Sequence, residues 1–222
     1  MSNTATLTVD LAAIRSNYRF LKSKLKGRLC GAVVKANAYG LGIQAIAPML
    51  AEDACDHFFV ATLDEAIELR GILPKAYIHV FGGLFAGDEH AYIEHRIIPV
   101  LNDMAQFERW EKIAANSAVG ADMHIDTGIT RLGLTESQAL RLSDDPGRVE
   151  RARVALIMSH LACASEPDDA KNAEQLARFE TVFRAFRNVA ASFANSAGIL
   201  LSPDFHYDLA RPGCALYGIK PA

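Results

Sequence analysis

The feature that most limits what this chain can fold into is a regular alternation of two patterns. Short apolar runs rich in strand-forming residues are separated, nearly throughout, by stretches of helical periodicity. The candidate strands are 30–34, 58–62, 77–81, 97–101, 122–126, 154–159, 192–195 and 207–209. Such alternation marks parallel βα units, and eight of them predict an α/β chain of the TIM-type (β/α)8 barrel class. The runs are apolar throughout more than they alternate, as expected of strands covered on both faces. No linker or internal repeat interrupts them, and 222 residues fit one barrel domain spanning 1–222.

Composition narrows the function classes. Half the residues are apolar and 22% are charged, the balance of a globular protein. A net charge of -3 offers no footprint for nucleic acid or an anionic membrane. No apolar run approaches the roughly 18 residues needed to span a bilayer. The amino terminus MSNTATLTVDL lacks the basic and apolar regions of a secretory signal, so the expected location is the cytoplasm. Four scattered cysteines, at 30, 55, 163 and 214, show no CxxC spacing. They read as small buried hydrophobes, and no metal site is expected.

Several helices carry start signals. Thr62 and Glu65 have the spacing of a capping box. Asn102 is placed to cap the segment 103–115. The stretch 166–189 is acidic at its start and arginine-rich toward its end, which suits the helix dipole. Within it Leu176, Phe179, Val182, Phe183 and Phe186 fall at helical spacing and are expected to be core contacts. Two ends depart from the pattern. Residues 4–9 read as a strand ahead of a helix over 11–25, which leaves that strand without a partner in the barrel. The chain stops after the eighth strand and its loop with no closing helix, and so reads as cut short.

The candidate chemistry gathers where barrels hold their active groups, at the carboxyl ends of the strands. Lys35 closes the first strand. Asp126, Thr127 and Arg131 follow the fifth, His160 the sixth, Asn195 and Ser196 the seventh, and Arg211 and Gly213 the eighth. A lysine at the mouth of a buried strand suggests an amine held for reaction, because burying an ammonium without a partner is costly. Such an amine forms a Schiff base with an aldehyde. Ser196 and the amides around Gly213 suit a phosphate. An aldehyde and a phosphate on one ligand describe pyridoxal 5'-phosphate.

The motifs AVVKANAYGLG, HIDTGITRLGL, SHLACAS, ANSAG and RPGCALYGI, in this order and spacing, resemble the amino-terminal barrel of the alanine racemases, which are fold type III pyridoxal phosphate enzymes. The resemblance covers the whole chain and about the first three-fifths of a full-length member. It implies that Lys35 is the Schiff-base lysine and one of two racemisation acid/bases. Tyr39, Ser196 and the amides of Gly213 and Cys214 would hold the phosphate, with Asn195 shaping the site. Arg131 would bind the substrate carboxylate, and His160 would pack on the pyridine ring and hydrogen-bond toward Arg211. Arg211 would face the pyridine nitrogen. Because an arginine does not readily give up its proton, the ring nitrogen would stay unprotonated, a weaker electron sink that favours reprotonation at Cα.

The resemblance also implies the conversion of L- to D-alanine for cell-wall peptidoglycan, and a homodimer at full length. There a tyrosine of the carboxyl-terminal β-domain, reaching in from the partner subunit, serves the second face of the substrate. The chain is expected to lack that domain, with which residues 4–9 would pair, so the barrel by itself is expected to be a poor racemase. His124 stands where many members carry a carbamylated lysine that orients the arginine of the DTG motif. Two other readings stay open: a single-domain, non-catalytic pyridoxal phosphate-binding protein, and a racemase of broader amino-acid range.

Overall fold

The computed structural model describes residues 5–221. Its strands are β1 (Leu29–Cys30), β2 (Ala32–Val33), β3 (His57–Val60), β4 (Tyr77–Val80), β5 (Ile98–Leu101), β6 (Ala121–His124), β7 (Val154–Met158), β8 (Ala190–Ser192) and β9 (Leu209–Ala210). All pair in parallel. β2 to β8 form one curled sheet in chain order, and β1 pairs with β9 through Leu29–Leu209 and Cys30–Ala210. β1 and β2 are a single run of chain broken only at Gly31, so the first barrel strand passes from the last strand to the second. A Cβ at Gly31 would lie 2.8 Å from the Phe59 ring and 3.0 Å from the His57 carbonyl, so only glycine fits this junction. Between β8 and β9 the Asp208 amide donates to the Ala191 carbonyl at 3.0 Å and the Arg211 amide to that of Ala194 at 2.9 Å. The architecture is the expected TIM-type barrel.

Helices cover the ring: α1 (Leu11–Lys24), α2 (Lys35–Tyr39), α3 (Ile43–Glu52), α4 (Leu63–Ile72), α5 (Glu89–Glu94), α6 (Met104–Ala114), α7 (Glu136–Ser143), α8 (Pro146–Arg151), α9 (Ala170–Phe183) and α10 (Ser196–Leu201). The Thr62–Glu65 capping box opens α4 as expected. The cap of α6 is Asp103, whose carboxylate accepts the Gln106 amide at 2.8 Å, and not Asn102. Asn102 is held one residue too early: its amide donates to the carbonyls of Phe81 and Val100 at 2.8 and 3.0 Å. The helix expected over 166–189 is shorter. Asp169 caps it by accepting the Lys171 amide at 2.8 Å, and left-handed backbone at Asn188 lies beyond its end. Residues 5–9 form no strand, since no strand here lies beside them; Thr4 is outside the described residues.

The core has two layers. Val33, Phe59, Val100, Leu156, Met158 and Leu209 pack inside the barrel. A larger shell fills the space between strands and helices, where Phe179 stacks on Phe193 with ring centroids 4.7 Å apart. Phe179 and Val182 are fully buried and Phe186 nearly so, while Leu176 and Phe183 are only partly buried at the same interface. Of the four cysteines, Cys30 and Cys55 are buried; Cys163 and Cys214 are partly exposed, which corrects the expectation that all four are core residues. Among the described residues no helix is long and apolar enough to cross a membrane. Truncating Phe179 to alanine is expected to destabilise the barrel by about 3–5 kcal/mol. Urea unfolding followed by the fluorescence of Trp110, the sole tryptophan, measures the loss.

Candidate active site

The carboxyl ends of the strands open into a cavity of about 620 Å³. Lys35, Tyr39, Arg131 and His160 line it, and so do Asn195, Ser196, Arg211, Gly213 and Cys214. These residues therefore face one space, joined by His124, whereas Asp126 and Thr127, also singled out from the sequence, do not line it: Asp126 folds the loop that carries Arg131 and Thr127 is buried.

Lys35 follows Val34, the buried end of the first strand, and opens α2. That element has the wrong hand for a helix of L-residues. Ala36, Asn37 and Ala38 have φ of 53°, 54° and 55° with ψ near 50°, and Tyr39 has φ 57°. Each such residue costs roughly 1–2 kcal/mol relative to right-handed helix, and strain of this kind is characteristic of functional sites. The turn is held by Ala38 donating to the Val34 carbonyl and Gly40 to that of Ala36, both at 2.8 Å. Asn37 Oδ1 accepts the Ile43 amide at 2.8 Å and starts α3. The turn lifts the Lys35 side chain clear of the core, and it is exposed at the cavity mouth, not buried as its place after an apolar strand suggested.

Arg211 is the opposite case, a guanidinium only 3% exposed. One of its nitrogens donates to the Ser159 carbonyl at 2.5 Å and another to the Ser192 hydroxyl. The hydrogen bond expected from His160 is not made; the two bonds that Arg211 does make go to Ser159 and Ser192 and leave three of its five N–H donors free of them. Burial lowers the Arg211 pKa to about 10, opposed by the attraction of Asp122, so the group keeps its charge at neutral pH. That charge acts on the imidazoles nearby. His124 is pushed down to about 4 and His160 to about 3, first by burial and then by Arg211.

The His124 tautomer is fixed by its surroundings. Asn102 spends its amide protons on two carbonyls, so its Oδ1 accepts, and His124 Nδ1, 2.9 Å away, carries the proton. The lone pair is left on Nε2, the acceptor that this neutral ring offers. Arg131 sits in the loop after β6 that Asp126 folds by accepting the amides of Gly128 and Thr130 at 2.9 and 3.0 Å. Gly133 closes that loop at φ 116°, where a Cβ would lie 2.6 Å from the Asp126 amide nitrogen. Arg131 is exposed at the tip.

On the far side, Ser196 Oγ accepts the amides of Gly213 at 2.9 Å and Ala215 at 3.2 Å. Both hydroxyl lone pairs are thereby used, which leaves the Ser196 proton to donate. The Gly213 amide points at Ser196 and is taken up by its hydroxyl, and so is not left free for an anion as the resemblance implied. A Cβ on Gly213 would collide with the Tyr39 hydroxyl, and the Tyr39 ring packs on Tyr217 at 4.7 Å. Asn195 caps α10 by accepting the Gly198 amide at 2.9 Å.

Sequence reasoning missed Ser159, Gln175 and Ser192, which hold these groups in place together with Thr127, a residue singled out only by its position at a strand end. Thr127 and Ser159 share a hydrogen bond of 2.8 Å. Gln175, buried on α9, donates to the Thr127 hydroxyl at 3.2 Å and the His160 carbonyl at 2.9 Å, and accepts the Ala162 amide at 2.8 Å. Ser192 supports Arg211. Their one sequence signal is a hydroxyl or amide in an otherwise apolar strand end or helix face.

Residues 9–221 match the family described as the amino-terminal domain of alanine racemase. The chain belongs to that family. The alanine racemase of Rhodospirillum rubrum is 44% identical over 222 residues, covering 98% of this chain and 59% of the relative. That of Rickettsia africae is 43% identical over 219 residues, covering 97% and 62%. Among solved structures, the Bartonella henselae alanine racemase with covalently bound pyridoxal phosphate has a TM-score of 0.92 at 40% identity, over 96% of this chain and 63% of that one. The biosynthetic alanine racemase of Pseudomonas aeruginosa has a TM-score of 0.84 at 34% identity, over 96% and 59%. The chain thus spans about three-fifths of the length of these alanine racemases.

The neutral imidazoles make the barrel acid-labile. His57, half-buried with its Nδ1 3.0 Å from His79 Nε2, is also lowered to about 4. In the unfolded chain each of the three takes up its proton near the ordinary histidine value of about 6.5. Between there and about pH 4 the unfolded state binds more protons, so stability falls as pH falls through that window and is level above it. The urea midpoint is expected to drop between pH 7.5 and pH 5, and His124→Gln is expected to flatten the decline.

Proposed function

We propose that this chain is the cofactor-binding barrel of a pyridoxal phosphate-dependent alanine racemase, with residues 1–222 as one domain. The observation that carries the reading is that an amine, a free buried hydroxyl proton and a permanently charged donor, on Lys35, Ser196 and Arg211, line one cavity. These groups fit the three polar ends of pyridoxal phosphate: aldehyde, phosphate and ring nitrogen. The cofactor covalently bound in the Bartonella henselae relative is the same molecule. When bound, it supplies an electron sink that acidifies the Cα hydrogen of an attached amino acid.

The chain's own residues do the rest. Lys35 Nζ would hold the cofactor by its aldehyde and would be the group that moves the proton on one face of Cα. The Ser196 hydroxyl donates to the phosphate, with Tyr39 and the Cys214 amide beside it and Asn195 fixing the start of α10. Arg131 offers a planar fork to the substrate carboxylate. The neutral His160 presents an uncharged ring wall. Arg211 would face the ring nitrogen and would not readily hand over its proton, so the cofactor would supply a weaker electron sink, which favours return of the proton to Cα. Inversion needs a second acid/base on the other face, since one group returning a proton to its own face restores the starting hand. That second group is a tyrosine from the carboxyl-terminal domain of a partner subunit, and the barrel alone therefore racemises alanine slowly or not at all. In the dimeric enzyme the product is D-alanine for the cell wall, made in the cytoplasm.

The test is attachment. After incubation with pyridoxal phosphate and reduction with borohydride, peptide mass spectrometry is expected to find the cofactor on Lys35, with the visible absorbance band of the bound form lost in Lys35→Ala. Attachment elsewhere, or an unchanged band in the variant, overturns the assignment. Rapid racemisation of alanine by the barrel alone overturns the need for the second group.

A further inference from the structure

Glu65 joins α4 to the turn that carries Lys35. As the third residue of α4 it forms a capping box with Thr62, but the two bonds of that box are long. The Glu65 amide reaches Thr62 Oγ1 at 3.3 Å, and the Thr62 amide reaches Glu65 Oε2 at 3.4 Å. The short bonds of the carboxylate go elsewhere. Oε1 accepts the amide of Ala36 and Oε2 that of Ala61, each at 2.7 Å. Ala36 directly follows Lys35 and is the first residue of the left-handed turn; Ala61 directly follows β3. One half-buried carboxylate thus ties together the ends of two neighbouring barrel strands, and capping α4 requires neither tie. The amides of Ala38 and Gly40 have carbonyl acceptors within the turn, whereas the Ala36 amide is accepted by Glu65.

We propose that Glu65 is a positioning residue: by clamping the Ala36 amide it holds the left-handed turn, and with it the Lys35 amine, at the distance from Ser196 that one phosphorylated aldehyde spans. The inference rests on the reading of Lys35 and Ser196 as cofactor-binding groups. It makes the phosphate useful to the lysine only while the turn is fixed. A displaced Lys35 still reacts with an aldehyde, but loses the advantage of an anion held across the cavity.

The experiment compares pyridoxal phosphate with pyridoxal, which lacks the phosphate, by borohydride trapping at Lys35 and peptide mass spectrometry. Wild type is expected to favour the phosphorylated aldehyde. Glu65→Ala is expected to lower that preference by roughly 10- to 100-fold, the scale of a displacement of about 1 Å at a reacting group. Glu65→Gln, which keeps one acceptor oxygen, is expected to fall between. Thr62→Ala removes the other half of the capping box and is expected to lower the melting temperature while keeping the preference. Retention of the preference in Glu65→Ala, or an equal loss in Thr62→Ala, overturns the proposal. If wild type shows no preference, the cofactor reading fails, and hydrogen exchange at the Ala36 amide still judges the clamp. Slow exchange in wild type and Thr62→Ala with fast exchange in Glu65→Ala upholds it, and equal exchange in all three overturns it.

Discussion

A guanidinium taken out of water must be surrounded by acceptors, because an unpaired charge in a low-dielectric interior costs several kcal/mol. Arg211 meets that demand with a carbonyl from the end of β7 and a hydroxyl from the end of β8, and among the described residues no carboxylate forms an ion pair with it. The consequences spread across the top of the barrel. Ser159 is in turn held by Thr127, and Thr127 by Gln175 from α9, so the loops after β6 and β7 are locked to the same point. Burial first, and the positive charge of Arg211 second, keep His124 and His160 neutral. In such surroundings an anionic ligand is welcome and a further cation is not.

Much of this was readable in the sequence because it depends on local chemistry. Apolar runs of four or five residues between helical stretches identify barrel strands, and the carboxyl-end rule of the fold then puts Lys35, Arg131, His160, Ser196 and Arg211 at one end. The Thr62–Glu65 spacing gave a true capping box. What escaped depends on partners distant in the chain. Asn102 looks like a helix cap, yet the strand neighbour that supplies the Phe81 carbonyl and the ring of His124 claims its side chain first. Nothing in KANAY announces a left-handed turn, since alanine and tyrosine rarely adopt it and only Asn and the following Gly hint at it. The hydrogen bond from His160 to Arg211 followed from resemblance alone, and two serines stand in its place.

The left-handed turn and the buried arginine divide the work of the cavity between two kinds of rigidity. The arginine side is fixed by hydrogen bonds at low strain. The lysine side is fixed against a conformational cost of several kcal/mol summed over four residues, by the estimate of roughly 1–2 kcal/mol for each. A group held in this way is placed accurately and is also the first to relax if a tie is cut.

The junction at Gly31 has a consequence for how the molecule is made. β1 finds its partner in β9, and nearly the whole described chain lies between them. A ribosome has released most of the described barrel before Leu209 exists to receive Leu29, so the nascent sheet carries an open seam until then. Closure across so long a loop carries a large entropic toll and slows folding. Until it occurs, β1 presents unpaired amides and carbonyls that other strands can capture.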